Sequence, residues 1–389
     1  MSKFWSSGSN SSSSTSESEN DDGNEENDWS ETNESDVVSR DSLSQDPDLA
    51  WDAIKEKQEF MEPLQSSNKK PPNSTRIVCM SDTHGKHREI HLPAGDLLIH
   101  GGDFTKSGEP GNIRDLDRFF GEAHFEEIIC IAGNHDMTMH PEFYDRNWER
   151  FHKQKFQSSK TRFDNCTYLE DASCTTRNGL DVYGSPWSPV FFDWAFNLDR
   201  GAPIREMWDK IPDTTDLLIT HGPPLGRGDL TNEKIRAGCY DLLIAVQERV
   251  KPRLHIFGHI HEGAGVSFDG NVLYVNASNL NIKYQAVNYP VVIDLPHDVS
   301  QPAMIAPPNC TLKSTDLLGW CGDNGFLSIA QLLETANLES VPSGNDLLEP
   351  NAFEKICGSL DIFRDRDALK ELRTMQAKLY AQSFPHNTQ

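Results

Sequence analysis

Between Thr75 and Leu295, short apolar runs alternate with amphipathic or polar stretches. RIVCM (76–80), DLLIH (96–100), EEIICIAG (126–133), DLLITHG (216–222) and PRLHIFGH (252–259) are apolar without a period of two. Such runs suit strands buried on both faces. GNIRDLDRFFGEA (111–123) and CYDLLIAVQERV (239–250) read as helices instead, the latter carrying Leu242, Leu243, Val246 and Val250 at helical spacing. Strand, helix and strand in succession predict mostly parallel pairing and an α/β fold. Further on, GVSFDG-NVLYVNAS and PVVIDL predict antiparallel strands, the first pair joined at an Asp-Gly turn.

The flanks follow other rules. Residues 1–50 hold thirteen acids against two bases, with many serines, and this composition predicts a disordered acidic tail. WDAIKEKQEFMEPLQ (51–65) reads as a short helix and SSNKKPPNST (66–75) as a hinge, so residues 1–74 are assigned to tail and linker and 75–296 to the folded domain. The extension 297–389 is partly helical. In DALKELRTMQAKLY (367–380), Leu369, Leu372, Met375 and Leu379 share one face, which either docks back on the domain or receives a protein partner.

Charge narrows the classes of function. The head supplies −11 of the formal net charge of −24, leaving −13 for the rest. A chain this acidic does not present a groove for long nucleic acid or a basic membrane patch. A small anion remains admissible if metal ions reverse the local field. The eight cysteines form no C-x-x-C spacing, the N-terminus lacks an apolar leader, and no run is long enough to span a membrane. The expectation is a reduced, soluble, cytoplasmic protein, whose glycosylation-like triplets at Asn165 and Asn276 carry no sugar. Ser16 and Ser18 precede acids as acid-directed kinases prefer, although a solubilising tail explains them as well.

Chemistry gathers where the five apolar runs end. Asp82 and His84, Asp103, Asn134 with His135 and Asp136, His221, and His259 with His261 all follow strands, with glycine beside most of them. Ligands of open α/β sheets collect beyond the carboxyl ends of strands. Taken singly, each cluster is an ordinary turn; the conjunction is not. Four imidazoles, two carboxylates and an amide exceed what one ion needs and suit two ions sharing a carboxylate. A set without thiolate fits Mn²⁺, Fe or Zn²⁺ in a catalytic role.

In this order, D-x-H, G-D, G-N-H-D, H-G and G-H-x-H, the motifs resemble those of the calcineurin-like metallophosphoesterases. RIVCMSDTHG, IHGGDF, IAGNHD, YGSPW, FNLDRG, LITHGPPLG, RLHIFGHIHEG and YVNAS narrow the resemblance to the brain-type metallophosphoesterase-domain subgroup of class III cyclic nucleotide phosphodiesterases. The resemblance covers about residues 75–296. It implies an α/β/β/α sandwich of two mixed sheets flanked by helices. It implies two divalent metal ions, Mn²⁺ foremost, with Asp82, His84, Asp103 and His261 on one and Asp103, Asn134, His221 and His259 on the other. It implies a bridging hydroxide as nucleophile and His135 as general acid or charge stabiliser at the leaving oxygen. The activity implied is hydrolysis of small phosphodiesters, cyclic nucleotides above all. A phosphomonoesterase and a nucleotide-binding scaffold with vestigial turnover are the alternatives.

Departures refine this. Protein Ser/Thr phosphatases carry G-D-x-V-D-R-G where this chain has GDFTKSG, so Lys106 and Ser107 replace an Asp that orients the catalytic histidine and an Arg that clamps phosphate. Asp136 is the candidate replacement partner for His135. Some members of the subgroup lose the first histidine of G-H-x-H, whereas this chain keeps His259. The stretch GSPWSPVFFDWAFN holds Trp187, Phe191, Phe192, Trp194 and Phe196, either as a base-stacking wall led by Trp187 or as a hydrophobic cluster under a loop. Arg227 stands close enough to His221 in sequence to contact phosphate, or is a surface arginine. His87, His91, His100, His124, His140 and His152 match no ligand position and are assigned to surface or structural roles.

Overall fold

The computed structural model describes residues 38–67, 69–156 and 163–306, with helical positions between 370 and 380. The chain lays down β1 (Ser74–Met80), β2 (Leu97–His100), β3 (Glu127–Cys130) and β4 (Thr167–Tyr168) as parallel neighbours. It then crosses to a second sheet with β5 (Ala172–Thr175) and β6 (Asp181–Ser185), and forms a small parallel pair, β7 (Ser188–Pro189) and β8 (Asn197–Leu198). Strands β9 (Leu217–Thr220), β10 (Leu254–Phe257), β11 (Gly265–Phe268) and β12 (Leu273–Asn276) complete that sheet in the order β11-β12-β10-β9-β6-β5. Finally β13 (Val291–Pro296) and β14 (Met304–Ile305) return to the first sheet, where β13 lies antiparallel to β1.

Both sheets are six-stranded and mixed. All five strands expected from the apolar runs are present, as is the antiparallel β11–β12 pair. Alternate residues of each central strand face different layers. Ile77, Cys79, Leu97, Ile99, Leu217, Ile219, Leu254 and Ile256 fill the space between the sheets. The opposite faces are covered by helices. Val78, Met80 and Leu98 meet Ile113, Leu116 and Phe120, while Leu218, Phe257 and Tyr274 meet Ile204, Trp208, Leu242 and Val246. This is why the runs are apolar throughout, and it produces the four-layer α/β/β/α order.

The covering helices are short. After α1 (Arg40–Gln45) and α2 (Pro47–Ile54) come α3 (Pro110–Glu122), α4 (Pro141–Asn147), α5 (Ala202–Trp208) and α6 (Tyr240–Ile244), which runs on as a wider turn to Val250. No helix among the described residues is long and apolar enough to cross a membrane.

The expected disorder of the head needs correction from Ser39 onward, while residues 1–37, with Ser16 and Ser18, lie outside the described residues. Asp46 caps α2 by accepting from the amides of Asp48 and Leu49 at 3.1 and 3.0 Å, with Pro47 in the first turn. Leu43 and Ala50 are buried against Leu225, Tyr240 and Leu243. Beyond α2 the chain continues as a strap, bridging Met61 to Phe268 and Gln65 to Ile305. A few well-placed apolar side chains outweigh the acidic average of the segment.

At the other end, Met375 is buried, and Tyr380 stacks on Tyr289 with ring centroids 4.5 Å apart. The Tyr380 hydroxyl donates to the carbonyl of Pro290 at 2.6 Å. This helix therefore docks on its own chain at those positions; Leu369, Leu372 and Leu379 lie outside the described residues.

Candidate metal centre

Each expected ligand sits just beyond a strand of the parallel cores: Asp82 and His84 after β1, Asp103 after β2, Asn134 after β3 with the catalytic candidate His135 beside it, His221 after β9, His259 and His261 after β10. Asp82, His84, Asp103 and His259 have φ of 53°, 43°, 54° and 68°. Left-handed backbone at non-glycine residues costs about 1–3 kcal/mol apiece and persists only where surroundings over-determine it. Here the loops tie one another down. The Asp82 amide donates to Gly102 O at 3.0 Å, the His84 amide to Asp103 O at 2.9 Å, and the His259 amide to the Asp82 carboxylate at 3.0 Å. Ser278 Oγ adds a 2.8 Å bond to Asp82 Oδ2. Two glycines are obligatory for space: a Cβ on Gly133 would collide with the Asp103 carboxylate and the His221 ring, and one on Gly258 with Asp82 and Ser81.

The histidines are aimed by backbone carbonyls. Nδ1 of His84 donates to Thr105 O at 2.9 Å, that of His221 to Gly101 O at 3.0 Å, and that of His261 to Asn281 O at 3.1 Å. A carbonyl only accepts, so Nδ1 carries the proton and the Nε2 lone pair turns inward. Those lone pairs converge on other acceptors. His84 Nε2 lies 3.2 Å from His261 Nε2, and His221 Nε2 lies 3.0 Å from Asn134 Oδ1 and 3.3 Å from Asp103 Oδ2. Nitrogens and oxygens crowded at such distances call for positive charge among them, as protons on Nε2 or as a bound cation. The residues fit divalent cations: Asp82, His84 and His261 form one cluster of ligand atoms, Asp103, His221 and His259 another. Asp103 Oδ2, at 3.3 Å from His221, 3.9 Å from His84 and 4.0 Å from His135, stands between them.

Electrostatics agree. Burial works to raise the carboxyl pKa of Asp82 and Asp103, but His261 beside the first and His221 beside the second outweigh it and hold both well below the usual range. Burial lowers His221 and His261, yet Asp103 and Asp82 prevail and lift each to about 9. Burial dominates at His84 and His259, which fall to about 4 and about 3. Positive charge is thus drawn to this pocket.

His135 is oriented differently from the expectation. Its Nδ1 donates to the backbone carbonyl of Lys106 at 2.7 Å, which points Nε2 into the site. Asp136 is not its partner. That carboxylate is buried and accepts from Thr105 N and Thr105 Oγ1, both at 2.8 Å, and from Gly133 N at 2.9 Å. Burial, reinforced by Asp103, pushes Asp136 up to about 8. It ties the β2 and β3 loops together.

Two further expectations change. Arg227 is fully buried, and its guanidinium is sandwiched 4.3 Å from the ring centroid of Phe60 and 4.8 Å from that of Tyr274. It donates to Glu59 O at 3.0 Å and Gln58 Oε1 at 3.1 Å, so it anchors the strap and does not reach phosphate. Trp187 donates from Nε1 to Asp171 at 2.8 Å and packs on His140 and Phe196, in the hydrophobic-cluster role. The indole beside His135 belongs to Trp194, with ring centroids 4.2 Å apart. Tyr284, which no motif marked, has its ring 4.8 Å from that of His84. Among the unassigned histidines, His100 accepts from Gly102 N at 3.2 Å and pairs with Thr83 Oγ1 at 3.0 Å, supporting the ligand loops from below.

Comparison with known proteins gives a consistent picture. Residues 75–263 match the calcineurin-like phosphoesterase family. Metallophosphoesterase domain-containing protein 1 of Homo sapiens is 45% identical over 249 residues, covering 61% of this chain and 76% of that protein; the Mus musculus protein gives the same figures. A UPF0046 protein of Caenorhabditis elegans is 36% identical over 281 residues, 67% of this chain and 71% of its own length. With the two-sheet fold and the clustered ligands, these likenesses show that the chain belongs to the calcineurin-like phosphoesterases, within the metallophosphoesterase domain-containing group.

Proposed function

We propose that this metallophosphoesterase is a phosphodiesterase acting on small phosphodiesters, with cyclic nucleotides as the leading class. In this reading Asp82, His84, Asp103 and His261 hold one divalent ion, and Asp103, Asn134, His221 and His259 hold the other. The observation that carries it is the position of Asp103 Oδ2, within 4.0 Å of Nε2 of His84, His135 and His221 at once. Mn²⁺ suits the mixed nitrogen and oxygen set best, with Fe and Zn²⁺ also matching. When bound, such a pair supplies Lewis acidity at phosphorus and an activated water.

The chain's own groups do the rest. His135, protonated at Nε2, delivers that proton to the departing oxygen, its ring held by the Lys106 carbonyl. Asp136 and Thr105 fix the loops that bear Asp103 and His135. A small diester is favoured over a phosphoprotein because the clamping Arg of protein phosphatases has no counterpart. Ser107, at that position, is bound to Glu109 at 2.7 Å, and Arg227 is committed to the strap. Free thiols at Cys79, Cys130, Cys166, Cys174 and Cys239 support a cytoplasmic setting.

The test separates binding from chemistry. Asp103→Ala should lose metal and turnover together. His135→Ala should keep its metal and lose about 10²–10⁴-fold in rate. Wild-type turnover in either variant overturns the assignment. A higher rate on monoesters than on diesters with one preparation replaces this reading by the phosphomonoesterase.

A further inference from the structure

We propose that Tyr284 is a substrate-contacting residue, its phenol O–H donating to a non-bridging oxygen of a phosphate group held at the metal centre. The inference rests on the reading of the site given above, and it identifies what takes the place of the missing phosphate clamp.

The loop that carries Tyr284 is built onto a ligand. Asn281 O accepts from His261 Nδ1 at 3.1 Å, and the same carbonyl accepts from the Tyr284 amide at 2.8 Å. Asn281 Oδ1 gathers the amides of Lys283 and Gln285 at 2.9 and 3.1 Å, and Asn281 N donates to Gln285 O at 3.0 Å. This closed turn leaves Tyr284 at a φ of 55°, a conformation disfavoured for an aromatic residue. The result is a ring standing edge-on to both terminal histidines of one cluster, with centroids 4.8 Å from His84 and 5.8 Å from His261. The residue is 37% exposed, so it lies at the surface beside the cluster and is not sealed in the core.

Its hydroxyl finds no hydrogen-bond partner among the described residues. A phenol offers its O–H as a donor in its ordinary neutral form. A neutral O–H donor aimed at the phosphate gains strength as negative charge builds on phosphorus. Arg227 and Ser107 are engaged elsewhere and leave the role open. A ring that merely shields His84 would work equally well as phenylalanine, and that difference decides the matter.

The full chain, loaded with Mn²⁺, is compared with Tyr284→Phe and Tyr284→Ala for bound Mn²⁺, for affinity toward inorganic phosphate by calorimetry, and for kcat/KM on a generic bis-aryl phosphodiester. Tyr284→Phe should keep its Mn²⁺ while phosphate affinity and kcat/KM both fall about ten- to a hundred-fold, the range for hydrogen bonds to charged groups. Tyr284→Ala should fall at least as far. Phosphate affinity unchanged in Tyr284→Phe overturns the proposal, as does loss of Mn²⁺ in that variant. If the wild type binds phosphate but hydrolyses no diester, the phosphodiesterase reading fails while the phosphate measurement still decides on Tyr284.

Discussion

The imidazole of His135 and the backbone carbonyl of Lys106 lie 2.7 Å apart, and that contact fixes which way the histidine faces. Protein phosphatases use a carboxylate for this task. A carbonyl, which only accepts, fixes the same tautomer. Because the contact is made by main chain, Lys106→Ala should leave turnover within a few-fold of wild type. A collapse in kcat would mean that the exposed lysine side chain takes part.

Gly133→Ala should disable the centre without unfolding the domain. The added methyl would press on the Asp103 carboxylate and the His221 ring, two side chains fixed by several hydrogen bonds. Elemental analysis should show reduced metal content while far-ultraviolet circular dichroism stays as in the wild type. Full metal occupancy would place Asp103 and His221 further apart than described.

Arg227→Met tests the role of the strap. If the guanidinium anchors residues 58–60, its loss should lower stability by about 1–3 kcal/mol in denaturant melts and leave KM for a diester unchanged. A raised KM with intact stability would return Arg227 to the substrate.

His255 offers a pH signature independent of the metal ligands. It is fully buried, its Nε2 pairs with Thr220 Oγ1 at 2.8 Å, and its Nδ1 has no partner among the described residues. Burial depresses its pKa from 6.5 to about 3. Between those values the unfolded chain holds a proton that the folded chain refuses, so stability falls as pH drops through this window. The difference in unfolding free energy between wild type and His255→Gln should change by up to about 1.4 kcal/mol per pH unit there, and be flat above it. A difference independent of pH throughout would show that His255 takes up its proton in the folded state.

Much of this was readable from letters because parallel strands buried on both faces leave uninterrupted apolar runs, so the polar residues at their ends stand out. Asp82, Asp103 and His221 were placed that way. The Lys106 carbonyl was not, since main-chain atoms are shared by every residue type. Tyr284 is a lone tyrosine in a polar loop, and only the fold brings it to His84. Arg227 is near His221 in sequence, but its direction depends on Phe60, in a short stretch read as helix and linker outside the folded domain. The cues for α2 were nonetheless there: Asp46 before Pro47, then Ala50, Trp51 and Ile54 at helical spacing.

The pairing of β13 with β1 along six positions, from Ser74–Pro296 to Cys79–Val291, carries a practical lesson. The calcineurin-like phosphoesterase match ends at residue 263, before that partner strand has been made. A recombinant fragment cut there would leave β1 with a bare flank of amides and carbonyls, an invitation to self-association. Expression boundaries for this protein should follow its hydrogen-bond ladder, beginning ahead of Ser39 and extending past Ile305.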